Sequence, residues 1–103
     1  LQAAESGNEE AQFNLASLYL LGIGTEKDSN KAIEMFSKLA KKGNHRAGLI
    51  LAEIYENGEF TKQDLPKSYA WYSQVYDSNK SPLAKSKMEM LSSYVHSTAQ
   101  ASN

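Results

Sequence analysis

Apolar residues recur along the chain at helical intervals, in short stripes divided by polar joints. Ala11, Leu15, Leu18 and Tyr19 form the first stripe, since residues three and four apart share one side of a helix that turns about 100° per residue. Ala32, Met35, Phe36 and Leu39 form a second, and Ala47, Leu51, Ile54 and Tyr55 a third. Ser68, Trp71, Tyr72 and Val75 form a fourth, with Ser at a position where the second stripe has Ala. Ala84, Met88, Leu91 and Val95 predict a fifth helix from about Pro82 to Thr98.

The joints carry start and stop signals. Asn8 and Asn44 precede the first and third stripes, and an Asn side-chain oxygen can accept an orphan amide of a first helical turn. Asp28 and Asp64 stand before the second and fourth stripes, and Pro66 lies in a first turn, where its missing N–H does no harm. Gly22 and Gly58 follow the first and third stripes, where a left-handed residue ends a helix. Gly43 closes the second, and Asn79 is expected to take the same place after the fourth.

Shifted by 36 residues, the chain matches itself in one register. Ala4, Gly7 and Asn8 meet Ala40, Gly43 and Asn44; Ala11, Leu15, Ala16 and Tyr19 meet Ala47, Leu51, Ala52 and Tyr55. Gly22, Thr25, Asp28 and Lys31 meet Gly58, Thr61, Asp64 and Lys67, and Phe36 meets Tyr72. So many coincidences in one frame identify a structural repeat of two helices per unit. The expected division is 1–7 as the tail of a preceding repeat, 8–43 and 44–79 as two full units, 80–98 as a degenerate repeat that caps the end, and 99–103 as a frayed tail. The register slips by one in the last segment, where Ser92 replaces Tyr. The opening "LQAAESGN", without an initiator Met or an apolar leader, reads as the last turns of a helix in a processed product or a fragment of a longer protein.

Composition narrows the function. At 103 residues the chain is one domain or part of one, 41% hydrophobic and 22% charged, in the range of ordinary globular proteins. A net charge of −1 offers no field to draw nucleic acid or an anionic membrane, and the apolar runs are too short to span a bilayer. The absence of cysteine excludes disulfides and thiolate metal sites.

Gly22-Ile23-Gly24, after an apolar run, suggests a phosphate cradle. It has neither the third Gly of a dinucleotide fingerprint nor the Gly-Lys-Ser/Thr of a P-loop, and its partial recurrence at Gly58 marks a connector. His45 and His96 lie 51 residues apart without the short helical spacing of a metal site; His45 reads as a solvated first-turn residue. No Gly-x-Ser-x-Gly elbow marks a nucleophilic Ser. Glu9-Glu10 and Glu53 with Glu56 are carboxylate pairs on helix surfaces, with no sign of the cleft that paired acids need. Lys31, Lys38, Lys41 and Lys42 read as a solvated face, and Tyr69, Trp71, Tyr72 and Tyr76 as packing rather than base stacking. No catalytic residue, cofactor or metal is expected.

The pattern Gly7-x3-Ala11-x3-Leu15-Ala16-x2-Tyr19-x2-Gly22-x-Gly24-x3-Asp28-x2-Lys31-Ala32-x3-Phe36-x2-Leu39-Ala40-x2-Gly43 resembles the Sel-one-like repeat, a relative of the tetratricopeptide repeat. Residues 43–79 match it again, with Trp71 where that family often has Trp. Phe60 replaces the second loop Gly, Ser68 the Ala of the second helix, and Val75-Tyr76 a smaller pair; bulky Tyr76 fits a cap rather than another regular repeat. The resemblance implies an all-α superhelix of antiparallel helix pairs whose first helices line a concave groove.

On the first helix, Phe13, Ser17 and Leu20 turn away from a core stripe centred on Leu15. Their counterparts are Leu49, Glu53 and Glu56. The resemblance implies that these six face a protein or peptide in the groove, joined by Arg46 and by Met90 of the fifth helix; alternatively, Phe13 and Leu20 pack on an earlier repeat. The implied role is a non-catalytic adaptor or scaffold, as in assembly of membrane-associated or secretory complexes, quality control and bacterial contact with hosts. The partner is a protein, not nucleic acid, with no direct membrane insertion. The resemblance leans to a bacterial periplasmic or secreted location. Its alternatives are a hydrolase, since some relatives are described as acting on β-lactams, or a structural spacer in a longer chain.

Overall fold

The computed structural model describes the backbone of residues 2–101 and the side chains of residues 8–94. Among the described residues there are five helices and no strand: α1 (Gln2–Leu21), α2 (Ser29–Lys41), α3 (His45–Asn57), α4 (Leu65–Asn79) and α5 (Pro82–Ala101). Each packs on the next in sequence, and joints this short make consecutive helices antiparallel. The result is a flattened stack of 49 × 31 × 18 Å.

The joints repeat atom by atom. Asp28 Oδ1 accepts from the Lys31 amide at 3.0 Å, and Asp64 Oδ1 from the Lys67 amide at 3.1 Å. The Asp28 amide donates back to the Tyr19 carbonyl at 2.8 Å, as the Asp64 amide does to Tyr55 at 2.9 Å. Gly22 and Gly58 sit at φ 72° and 70°, a region L side chains avoid. A Cβ on Gly58 would also lie 2.9 Å from Cβ of Gln63. The Gly22 and Ile23 amides both donate to the Leu18 carbonyl, so this loop uses its own N–H groups to close a helix, as a connector does.

Two helix ends depart from expectation. α1 runs without a break through Gly7 and Asn8, where a stop and a cap were expected. At the equivalent Gly43 the turn forms because α2 must fold back onto α3, and Asn44 Oδ1 then accepts from the Ala47 amide at 3.0 Å. A Gly inside a helix costs only about 1 kcal/mol, so the helix continues where no packing demands a turn. The second correction moves the left-handed stop after α4 from Asn79 to Lys80, at φ 55° and ψ 38°. α4 is longer than α2 by two residues (15 against 13). That displaces the stop and accounts for the slipped register of α5, which continues past Thr98 to Ala101. The side chains of Ala4 and Val95 lie outside the described residues, as does the end of the expected frayed tail.

The buried side chains form two clusters. One joins Phe13, Ala16 and Leu20 of α1, Ala32, Phe36, Leu39 and Ala40 of α2, and Ala47, Leu51 and Ile54 of α3. The other joins Ala52 of α3, Tyr72 and Val75 of α4, and Ala84 and Leu91 of α5, with Leu49 and Tyr76 half-buried against it. α3 is therefore apolar on two sides, one toward α1 and α2 and the other toward α4 and α5. Gly48 lies at the closest approach to α4: a Cβ there would stand 2.8 Å from Cγ2 of Val75.

This two-sided burial corrects the expected core of α1. Leu15 is 42% and Leu18 39% exposed, whereas Phe13 and Leu20 are only 7% and 8% exposed. The stripe of Ala11, Leu15 and Leu18 corresponds to the side of α3 that meets the preceding helices, Ala47, Leu51 and Ile54, but on α1 this stripe stays partly exposed. Phe13, Ala16 and Leu20 correspond to the side that meets the following helices. A single helical stripe is the right expectation for a helix at a surface, but not for one stacked between neighbours.

Candidate functional site

The first helices α1 and α3 lie side by side with a groove of about 260 Å³ between them. Ser17, Leu20 and Leu21 form one wall, Ile50, Glu53, Ile54 and Asn57 the other, with Phe36 at the floor and Phe60 at one end. Leu21 is among the exposed large apolar residues, and Glu53 is exposed. An apolar trough with a few polar groups at its rim is the usual form of a site that seats one anchoring side chain.

The eight residues expected to face a partner divide into separate environments. Ser17 and Glu53 line the groove, and Leu20 contributes to its inner surface while nearly buried. Phe13 is removed from the partner-facing set: its ring packs edge-on against Phe36, centroids 5.4 Å apart, and the Arg46 guanidinium caps it at 4.2 Å. Neither does it pack on an earlier repeat, for these neighbours follow it in sequence. Leu49 is half-buried in the second cluster. Met90 is exposed on α5 and does not line the groove. Sequence reasoning missed Leu21, Ile50, Asn57 and Phe60. Once Phe13 is placed in the core, helical spacing from Ser17 to Leu21 and from Ile50 to Asn57 marks the groove walls.

Glu56 is likewise corrected from a ligand-facing position to a structural one. Its Oε1 accepts from the Tyr72 hydroxyl at 2.7 Å and its Oε2 pairs with Lys87 Nζ at 3.1 Å, so one carboxylate ties α3 to α4 and α5. The equivalents of Glu56 and Tyr72 in the other unit are Leu20 and Phe36, so both members of this contact change from apolar to polar together. Burial above all, and then the hydrogen bond and negative charge of Glu56, raise the Tyr72 hydroxyl well above the ordinary tyrosine range. Ser68, in place of Ala, donates to the buried Ala52 carbonyl at 2.6 Å.

The surface lysines do more than solvate a face. Lys31 Nζ lies 5.0 Å over the Tyr19 ring and Lys67 Nζ 5.0 Å over Tyr55, a cation–π pair reproduced in each unit. Glu34 and Lys38 form an exposed ion pair at 3.4 Å. His45 is half-buried beside a cavity of about 20 Å³, also lined by Trp71 and Gln74, room for about one water. No group of three or more His, Cys, Asp or Glu able to hold a metal occurs among the described residues. No helix among them is long and apolar enough to cross a membrane.

The Sel1 repeat family model matches residues 9–44 and 47–79. Solved structures share the fold, the following two among them. One is a protective antigen of uropathogenic Escherichia coli displaying an SLR fold, at TM-score 0.74 and 28% identity, covering 89% of this chain and 20% of the antigen. The other is a Sel1 repeat protein from Oxalobacter formigenes, at TM-score 0.71 and 30% identity, covering 82% of this chain and 34% of that protein. The chain thus spans about a fifth and about a third of the length of these two. No curated protein matches it. Sel1 repeats generally serve as scaffolds for protein interaction. With two successive matches over most of its length and the helix-pair architecture to go with them, the chain belongs to the Sel1 repeat family.

Proposed function

We propose that this domain is a non-catalytic interaction module that holds a segment of another protein in the groove between α1 and α3. The observation that carries the reading is the groove itself. Leu21, Ile50 and Phe60 give it apolar walls, and Ser17, Glu53 and Asn57 supply its polar rim. Such a surface gains affinity by burying an anchor and specificity by pairing a few polar groups around it. The elements behind it are fixed by the Phe13–Phe36 and Arg46–Phe13 contacts, so binding would order little of the domain and lose little affinity to that cost.

A random dodecapeptide display library selected on the folded domain tests this, followed by calorimetry on the selected peptides. Ile50→Glu should weaken them by about 2 kcal/mol, the size of a typical hot spot. Leu15→Glu, on the opposite side of α1, should leave the affinity unchanged. Peptides that respond to Leu15→Glu and ignore Ile50→Glu would place the binding surface elsewhere and end the groove reading.

A further inference from the structure

The groove's charges narrow its occupant. Of the residues that line it, Glu53 alone has an acidic or basic side chain, and it makes no hydrogen bond or ion pair among the described residues. The other charges of α3 are committed: Arg46 covers the Phe13 ring, and Glu56 is held by Tyr72 and Lys87. α1 carries Glu5, Glu9 and Glu10 and no Lys or Arg, while α2 carries Lys31, Lys38 and Lys41 against Glu34 alone. The acidic excess therefore lies on α1 and α3, which flank the groove, and the basic excess on α2, while Lys67 and Asp77 balance on α4.

Helix polarity adds to this. Antiparallel packing of consecutive helices makes α1 and α3 parallel, so Leu21 and Asn57, their last residues, both stand at the groove. Each helix brings the negative end of its dipole there. Lys27 has its Nζ 5.2 Å over the ring of Phe60, one of the groove's lining residues. A basic group on an occupant is thus kept from the Phe60 ring, which Lys27 already covers, and drawn toward Glu53 and the two helix ends.

We infer that the groove takes a protein segment with a bulky apolar anchor and a Lys or Arg beside it, the anchor between Leu21 and Ile50 and the cation against Glu53. This rests on the groove reading above and adds the partner's charge. Basic segments are favoured and their acidic counterparts rejected, because Glu53 would face a like charge beside two negative helix ends.

The selected dodecapeptides test it directly. Those that depend on Ile50 should be enriched in Lys or Arg within a turn of an apolar residue, and their affinity should fall as salt rises. Glu53→Gln should weaken them about fivefold, the upper range for an exposed pair, and Glu53→Lys should reverse the charge preference in a fresh selection. Ile50-dependent peptides with no basic enrichment, indifferent to Glu53→Lys, would overturn the inference while leaving the groove reading in place. Peptides indifferent to Ile50 would overturn both. A circular dichroism spectrum shared by all variants separates lost binding from lost folding.

Discussion

Leu15 and Leu51 hold equivalent places in the repeat, yet Leu15 is 42% exposed and Leu51 fully buried. Their substitution should therefore differ sharply. Leu51→Ala should cost about 2–5 kcal/mol, and Leu15→Ala, at a half-solvated position, about 0.5–1 kcal/mol; paired thermal melts would show it. A charged residue at Phe13 should unfold the domain, for the ring lies inside the first cluster. Lys80 gives a second contrast. As a non-Gly residue at φ 55°, it holds a conformation that costs an L-residue about 1–2 kcal/mol, only partly offset by its contact with the Tyr76 ring. Lys80→Gly should raise stability by about 0.5–1 kcal/mol in urea unfolding; a loss would mean the ring contact outweighs the strain. Caps and stops such as Asp28, Gly22 and Gly58 were legible in the sequence because each depends on its own backbone. The buried side of α1 was not, because Leu15 and Phe13 are equally apolar and only the neighbours decide which is covered.

Between elements, the contact of Glu56 with Tyr72 and Lys87 holds the last three helices together, and its counterpart Leu20–Phe36 shows what it replaces. Glu56→Leu alone strands the buried Tyr72 hydroxyl, and Tyr72→Phe alone removes a partner from a half-buried carboxylate; each should cost about 1–3 kcal/mol. The double variant Glu56→Leu/Tyr72→Phe recreates the apolar pair of the other unit, and its cost should fall below the sum of the singles by at least about 1 kcal/mol. Additive losses would show that the two groups act independently. The tyrosine also sets an alkaline limit. Its hydroxyl is raised in the folded state by burial and by Glu56, so its contribution is intact below the ordinary tyrosine pKa of about 10 and declines as pH rises above it. Tyr72→Phe should flatten the fall in unfolding midpoint above that pH. The helix pairs were legible from the stripes, whereas Ser68 stood out only as a departure from Ala, and its bond to the Ala52 carbonyl came with the structure. The role of Glu56 was hidden because a carboxylate on a helix reads as solvated until the helices beside it are placed.

At the scale of the whole molecule, the two sides of α1 differ in what they meet, and the repeat shows what the exposed side is shaped for. Ala47, Leu51 and Ile54 are covered within the cluster that α1 and α2 supply, whereas Leu15 and Leu18, in the same places, are exposed, and Leu15 borders a shallow depression with Tyr19 and Met35. In a stacked-repeat architecture stability comes from such neighbour interfaces. A chain with residues 8–43 duplicated ahead of residue 8 would lay a second copy of α2 over Leu15 and Leu18. Covering the exposed part of two Leu side chains contributes about 2 kcal/mol, a rise of about 8–16 °C in the midpoint of a domain this size at about 4–8 °C per kcal/mol. The same change should restore the break at Asn8, whose side chain would then cap the Ala11 amide as Asn44 caps that of Ala47 at 3.0 Å. Amide hydrogen exchange across residues 6–12 would detect the new helix start, and thermal melts the gain. Leu15→Gln/Leu18→Gln in the longer chain should abolish most of that gain. An unchanged midpoint with uninterrupted helical protection through Gly7 would mean that the outer side of α1 does not accept a helix of this kind.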